Sequence, residues 1–339
     1  MSRRYRAVAA ALLAGTLAVV ASGCSGSGDE NDSDSASPDK ITYVTGFGAY
    51  GRDAFAWVAE EKGYFREANL DVTIELGAGT GKNLQALAAD KADFVAIDSV
   101  GGWITAGQGD FTDFRSILAL HQQNLVSIIT LEGSDITNPK DLEGKKIAAA
   151  TNSVNQLLFP AYAKLAGIDE SKVEWVNAKP TALGGLLASG QVDALSTFLI
   201  GQKGIEKAAA GKKTVVLPYS TYLSDLYGNG VMATTKTLEE KPDMTKRFRD
   251  AMLKGLKYSI EHPQESAETL HKAQPAADVT AALGEITLMT PHVGTGATIG
   301  TLDKQRVARG IATLQGIGLI GTSLAPEDVV DFDLAPKAS

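Results

Sequence analysis

Trp57-Val58-Ala59-Glu60-Glu61-Lys62-Gly63-Tyr64-Phe65-Arg66-Glu67-Ala68-Asn69-Leu70 carries apolar groups at helical spacing and a glycine near the end of the run. With Phe55, the side chains of Trp57, Val58 and Phe65 fall on one face of a helix expected over Asp53–Ala68. Gly63 suits the end of such a helix, and the two aromatics beside it need a core to enter. Short β-rich runs flank the helix: Ile41–Thr45 before it and Asp71–Leu76 after it. Helix between strands is the unit of a largely parallel sheet.

The alternation continues outward. Helices are expected at Asn83–Ala89 and Gly102–Gln108, with strands at Phe94–Ile97, Phe114–Leu120 and Leu125–Leu131. A second series follows, with strands Lys146–Ala150, Val173–Val176 and Val192–Leu195 and helices Asn155–Ala166, Thr181–Ala188 and Gly201–Ala209. One design occurs twice: Leu84-Gln85-Ala86-Leu87 leads to Asp93-Phe94, and Leu186-Leu187 leads to Asp193-Ala194. Each is a helix, a tight turn at an aspartate that can cap backbone N–H groups, and a short strand. Two copies imply two similar lobes rather than a solenoid. The chain is expected to cross back near Tyr227–Ala233 and then to be helical over Met244–Glu261, Pro263–Ala273, Ala276–Met289 and Asp303–Ile317.

The start of the chain has a different character. Arg3, Arg4 and Arg6 precede an apolar run, Ala7–Val20, that is short for a membrane span and suits a cleaved export signal. Ala21-Ser22-Gly23-Cys24 ends that run on the only cysteine, and a Ser-, Gly- and Asp-rich stretch follows. This resembles a bacterial lipobox, so Cys24 is expected to be the lipid anchor; the competing reading is an incidental or buried thiol. Ala21 stands where such motifs usually have leucine. The expected organisation is a signal peptide at 1–23, a flexible tether at 24–39, one lobe from 40–130 with 229–336, and a second lobe from 131–228. The 32 basic residues less Arg3, Arg4 and Arg6 leave 29 against 40 acidic ones, a net −11 that argues against nucleic acid as partner.

Four blocks together carry a resemblance. Trp57–Leu70, Leu87-Ala88-Ala89-Asp90-Lys91-Ala92-Asp93-Phe94, Asp141-Leu142-Glu143-Gly144-Lys145-Lys146-Ile147-Ala148 and Leu187-Ala188-Ser189-Gly190-Gln191-Val192-Asp193-Ala194 occur in order along the chain. They resemble the ABC-transporter solute-binding proteins of the nitrate, sulfonate, taurine and thiamine-pyrimidine-precursor group. That resemblance implies an α/β, two-lobed periplasmic-binding-protein fold of type II, each lobe a mostly parallel sheet flanked by helices. It also implies a small-molecule solute, a permease with a cytoplasmic ATPase as partner, and an extracytoplasmic, membrane-anchored monomer without cofactor or metal.

In such sheets ligands lie beyond the carboxyl ends of strands, near helix N-termini. The expected cleft residues are Phe47 and Tyr50; Gly79 and Thr80; Asp98, Ser99 and Trp103; Asn152 and Ser153; Thr197; and Tyr227. Several have a plainer alternative: Gly79 as a turn former, Phe47, Tyr50 and Trp103 as core residues, Ser99 and Ser153 as helix caps, and Asp98 as facing a backbone turn. An anion would favour arginine or lysine in the cleft, and only Arg52 and Lys82 lie near these loops. Aromatic, hydroxyl and amide groups with one carboxylate suit a planar heterocycle, and Tyr227-Gly228-Asn229-Gly230-Val231 resembles a segment of the pyrimidine-precursor branch. A nitrate, sulfonate or taurine binder is the alternative.

Catalytic patterns are weak. Gly77-Ala78-Gly79-Thr80-Gly81-Lys82-Asn83 lacks the first glycine and the Ser/Thr of a phosphate loop. His121, His262, His271 and His292 are scattered without metal-ligand spacing. The thiamine-pyrimidine synthase on the same fold carries a cysteine-rich motif, and this chain has only Cys24. No catalytic residue is expected.

Overall fold

The structure is a computed structural model that describes residues 37–150, 153–321 and 323–337. Cys24, the expected export signal and most of the expected tether lie outside the described residues. The first lobe opens with β1 (Asp39–Val44), α1 (Ala54–Glu61), α2 (Tyr64–Glu67), β2 (Leu70–Glu75), α3 (Thr80–Ala88), β3 (Phe94–Asp98), α4 (Ser99–Gln108) and β4 (Arg115–Ala119). The second contains β5 (Val126–Leu131), β6 (Lys146–Ala150), α5 (Val154–Leu157), α6 (Phe159–Ala166), β7 (Glu174–Ala178), α7 (Leu183–Ala188), β8 (Ala194–Phe198), α8 (Gln202–Ala208) and β9 (Thr214–Pro218). The chain then returns as β10 (Asn229–Ala233), followed by α9 (Thr235–Glu240), α10 (Pro242–Glu261), α11 (Pro263–Ala273), α12 (Val279–Val293) and α13 (Lys304–Gly316).

The two sheets share one plan. Their strand orders are β2-β1-β3-β10-β4 and β7-β6-β8-β5-β9. In each, one strand opposes its neighbours: β10 runs antiparallel to β3 and β4, and β5 antiparallel to β8 and β9. The remaining pairs, β1 with β2 and β3 and β6 with β7 and β8, are parallel. Each opposing strand is the one that begins directly after a crossing between lobes. Interior strands such as β3 are buried at every residue, whereas edge strand β2 alternates.

The repeated aspartates explain the repeated design. Thr42 N–H donates to Asp93 Oδ2 (2.8 Å), and Lys146 N–H donates to Asp193 Oδ2 (2.8 Å). Each carboxylate thus fastens the turn after a helix to the parallel strand beside which the next strand will lie. The register of β3 on β1 and of β8 on β6 follows.

Several expectations change. Val126–Leu131 belongs to the second sheet, so the border lies before residue 126 and not at 130, because an apolar run does not reveal which sheet it joins. The helix over Asn155–Ala166 is two, α5 and α6, with Pro160 in the first turn of the second, and that over Asp53–Ala68 is also two, α1 and α2, broken where Gly63 adopts φ 76°. Here a Cβ would lie 2.6 Å from Arg66 Nη2. The edge strand β9 and the short α9 had no strong periodic signal. Among the described residues no helix is long and apolar enough to cross a membrane.

Of the two aromatics beside Gly63 only Phe65 is fully buried; Tyr64 is half-buried at the rim of the core, with the Lys254 ammonium 5.5 Å over its ring. Trp57 and Phe65 are core residues, and Phe248 of α10 stacks on Phe94 (4.1 Å between centroids) and Phe65 (5.9 Å). Gly255 lets α10 approach α1 closely: a Cβ there would stand 2.4 Å from the Phe55 carbonyl oxygen. The C-terminal helices therefore complete the first lobe.

Candidate functional site

Between the two sheets lies a cavity of about 850 Å³. The first lobe supplies the loops after β1 and β2, the end of β3 and one face of α4; the second supplies Ala150, the start of α5 from Ser153, Pro180, Leu183, and Thr197 and Phe198 at the end of β8 with Ile200 and Gly201 beyond it. The first-lobe loops are held by buried polar side chains. Asn83, 1% exposed, donates to the carbonyls of Thr45 and Ala96 (both 2.8 Å) and accepts from Ala78 N–H (3.1 Å). Asp53 Oδ1 accepts from Gly46 N–H (2.9 Å). Only glycine fits at 77, where a Cβ would lie 1.8 Å from the Thr45 carbonyl oxygen. On this fixed base Phe47 and Tyr50 present a ring pair to the cavity, 6.0 Å between centroids at 21°. Beside them α3 begins at Thr80 with Gly79 at φ 91°, so the unpaired first-turn N–H groups of that helix lie at the cavity wall.

Charges in the site are compensated or desolvated. The Arg52 side chain stands 3.5 Å from Asp53 Oδ2 and 5.1 Å over the Tyr50 ring, and its backbone N–H donates to Glu285 Oε2 (3.4 Å). Burial pushes the Glu285 carboxyl up, and the Arg52 charge opposes that rise. Asp98 caps α4 by accepting from Gly101 N–H (2.9 Å) and accepts from Asn124 Nδ2 (3.2 Å), yet burial still pushes its carboxyl up to about 6. Burial, then the Arg52 and His292 charges, push His121 down to about 3. The Lys82 ammonium bonds Gln85 Oε1 (3.3 Å) at the exposed edge.

Seven expected residues meet at the cavity: Phe47, Tyr50, Gly79, Thr80, Asp98, Ser153 and Thr197. Asn152 lies outside the described residues. Ser99, Trp103 and Tyr227 do not line it. Ser99 is 1% exposed, and its N–H donates to the Gly228 carbonyl. Trp103 is fully buried because the cavity face of α4 is the stripe Gly101, Ile104, Thr105 and Gln108, and position 103 lies off that stripe. Its ring meets Tyr227 edge-on at 6.3 Å, and a Cβ on Gly310 of α13 would come within 2.8 Å of it. Tyr227 is anchored the same way, its hydroxyl accepting from Asp303 N–H (2.8 Å) and Arg306 lying 3.9 Å over its ring. Both aromatics are core, as the plainer reading of Trp103 allowed; for Tyr227 the cleft expectation is corrected.

Arg52 and Lys82 line the cavity as well. Sequence reasoning missed His121, Asn155 and Glu285. The i, i+3, i+4, i+7 stripe on α4 could have directed attention away from Trp103. Nothing local marks Glu285, which arrives on α12 from far along the chain. Among the described residues no cluster of three or more His, Cys, Asp or Glu could hold a metal ion.

Comparison with known proteins gives consistent results. A family model described as NMT1/THI5 like matches residues 53–266. A Bacillus subtilis protein named for the binding of aliphatic sulfonates is 32% identical over 219 residues, 62% of this chain and 64% of that protein. The match thus spans just under two thirds of that relative's length. The formylaminopyrimidine-binding protein of Halalkalibacterium halodurans is 25% identical over 225 residues, covering 66% and 67% of the two chains. The periplasmic aliphatic sulphonate binding protein SsuA from Escherichia coli superposes with a TM-score of 0.70 at 15% identity, over 87% of this chain and 92% of that one. At that identity the superposition speaks to the fold, the two-lobed periplasmic-binding-protein architecture.

Proposed function

The chain belongs to the NMT1/THI5-like family, and on that premise we propose that it is the extracytoplasmic solute-binding component of an ABC importer. One observation carries the reading: a cavity of about 850 Å³, a size suited to small molecules, is walled by strand ends and helix starts from two lobes. The lobes are joined by the segments before β5 and before β10. Such a pair can hinge, and a solute that contacts both walls favours the closed state by its differential affinity. The closed form would dock on a permease served by a cytoplasmic ATPase, with a monomer held at the outer face through Cys24. This role has no chemical step.

For the solute we favour an aromatic heterocycle of the aminopyrimidine kind. The Phe47–Tyr50 ring pair offers a stacking surface, and the buried Asp98 carboxylate can accept from an amine. Arg52 is already paired with Asp53, which weakens it as an anion clamp. A sulfonate is the second reading, favoured by Lys82 and the N-terminus of α3 at one edge of the cavity. Calorimetry with 4-amino-5-hydroxymethyl-2-methylpyrimidine and with methanesulfonate decides between them. Tight binding of the pyrimidine and none of the sulfonate is expected; the reverse would transfer the assignment to the sulfonate.

A further inference from the structure

His121 is 2% exposed and lines the cavity, directly after β4. Its Nδ1 accepts from the Asn229 N–H (3.3 Å), which places the ring proton of the neutral form on Nε2. That Nε2 is buried and has no hydrogen-bond partner among the described residues. A buried N–H donor left unmade is costly, so a group of this kind at a cavity wall calls for a partner.

The backbone around the ring is tightly fixed. His121 N–H donates to the Asn229 carbonyl (3.1 Å), and Gly228 N–H donates to the His121 carbonyl (3.1 Å). A Cβ at Gly228 would lie 2.8 Å from His121 Cβ and 3.1 Å from its Nδ1, so the glycine is what lets the imidazole sit against the returning chain. The ring is therefore wedged where the two crossings between lobes touch. Arg52 and His292 are the charged or titratable groups acting on it, and both disfavour an imidazolium.

We propose that His121 is a specificity-determining residue whose Nε2–H donates to an uncharged acceptor on the solute, such as a heterocyclic ring nitrogen. This rests on the solute-binding reading above and adds to it the chemistry required of the solute. An acceptor at that position satisfies the buried N–H, and a solute without one leaves it orphaned. The contact also joins the solute to the segment about which the lobes turn.

The test uses two probes and three forms of the protein. The probes are 4-amino-5-hydroxymethyl-2-methylpyrimidine and 2-aminobenzyl alcohol, which keeps the amine and hydroxymethyl groups but lacks ring nitrogens. For the unaltered protein the pyrimidine should bind more tightly; His121→Phe should weaken it by about 10- to 100-fold while barely changing the benzyl alcohol. His121→Gln, which retains an N–H donor, should recover part of the loss. Nitrogen-15 NMR of the unaltered protein should show His121 neutral with its proton on Nε2 from pH 5 to 8, whether or not the phenylalanine variant folds. Pyrimidine affinity unchanged in His121→Phe, or a proton on Nδ1, would overturn the assignment and leave solute binding intact. If neither the pyrimidine nor methanesulfonate binds the unaltered protein, the solute reading falls and the role of His121 falls with it.

Discussion

Phe248→Ala is expected to lower the unfolding free energy by about 3–5 kcal/mol, the usual cost of emptying a fully buried aromatic position. Phe248 has no exposed surface, and its ring meets Phe94 at 4.1 Å, Tyr43 at 5.8 Å and Phe65 at 5.9 Å. These neighbours come from β3, β1 and α2, so one side chain of α10 closes the core that the opening elements leave unfinished. The surroundings are strands and helices pinned at both ends and can collapse only partly into the space. Urea unfolding monitored by circular dichroism checks the value. A loss below about 1 kcal/mol would mean that α10 does not complete the first lobe.

Asp98 should leave a signature in the dependence of stability on pH. Its carboxyl rises from 3.8 to about 6, chiefly through burial. Between those values the folded protein keeps the proton while the unfolded chain has lost it. Native stability therefore falls as pH climbs through the window, by about 3 kcal/mol for this group, and levels off above it. Asp98→Asn keeps a good helix cap for α4 but loses the bond from Asn124, costing about 1 kcal/mol at pH 4. Relative to the unaltered protein the variant should then gain with rising pH and be the more stable form at pH 7.5. Urea unfolding at pH 4, 5, 6 and 7.5 provides the comparison; a difference independent of pH would contradict the burial of this charge. Functionally, a desolvated carboxylate at a cleft wall is eased by a solute that donates to it.

The sequence exposed the fold well, for physical reasons that differ along the chain. The opening stretch had helical period, a breaking glycine and apolar groups in need of a core; Trp57 and Phe65 enter that core, and Tyr64 packs only at its rim. The paired aspartates marked the internal repeat because each performs the same backbone bond in its own sheet. The strand Val126–Leu131 was visible as a strand but not assignable to a lobe, since sheet membership depends on distant pairing. The site was legible where a loop follows a strand, as for Phe47, Tyr50, Gly79, Thr80 and Asp98. It was not legible where helical phase decides, as for Trp103, or where a partner arrives from another element, as for Glu285 beside Arg52. His121 was visible only as a scattered histidine; its tautomer and its unpaired nitrogen exist only once Asn229 has returned to the first sheet.

The central claim is that two lobes close on a small solute. Small-angle X-ray scattering of the purified protein, titrated with 4-amino-5-hydroxymethyl-2-methylpyrimidine, addresses it directly. A saturable fall in the radius of gyration, in step with calorimetric binding, is the predicted result. A radius that stays constant while the calorimetric site fills would contradict closure.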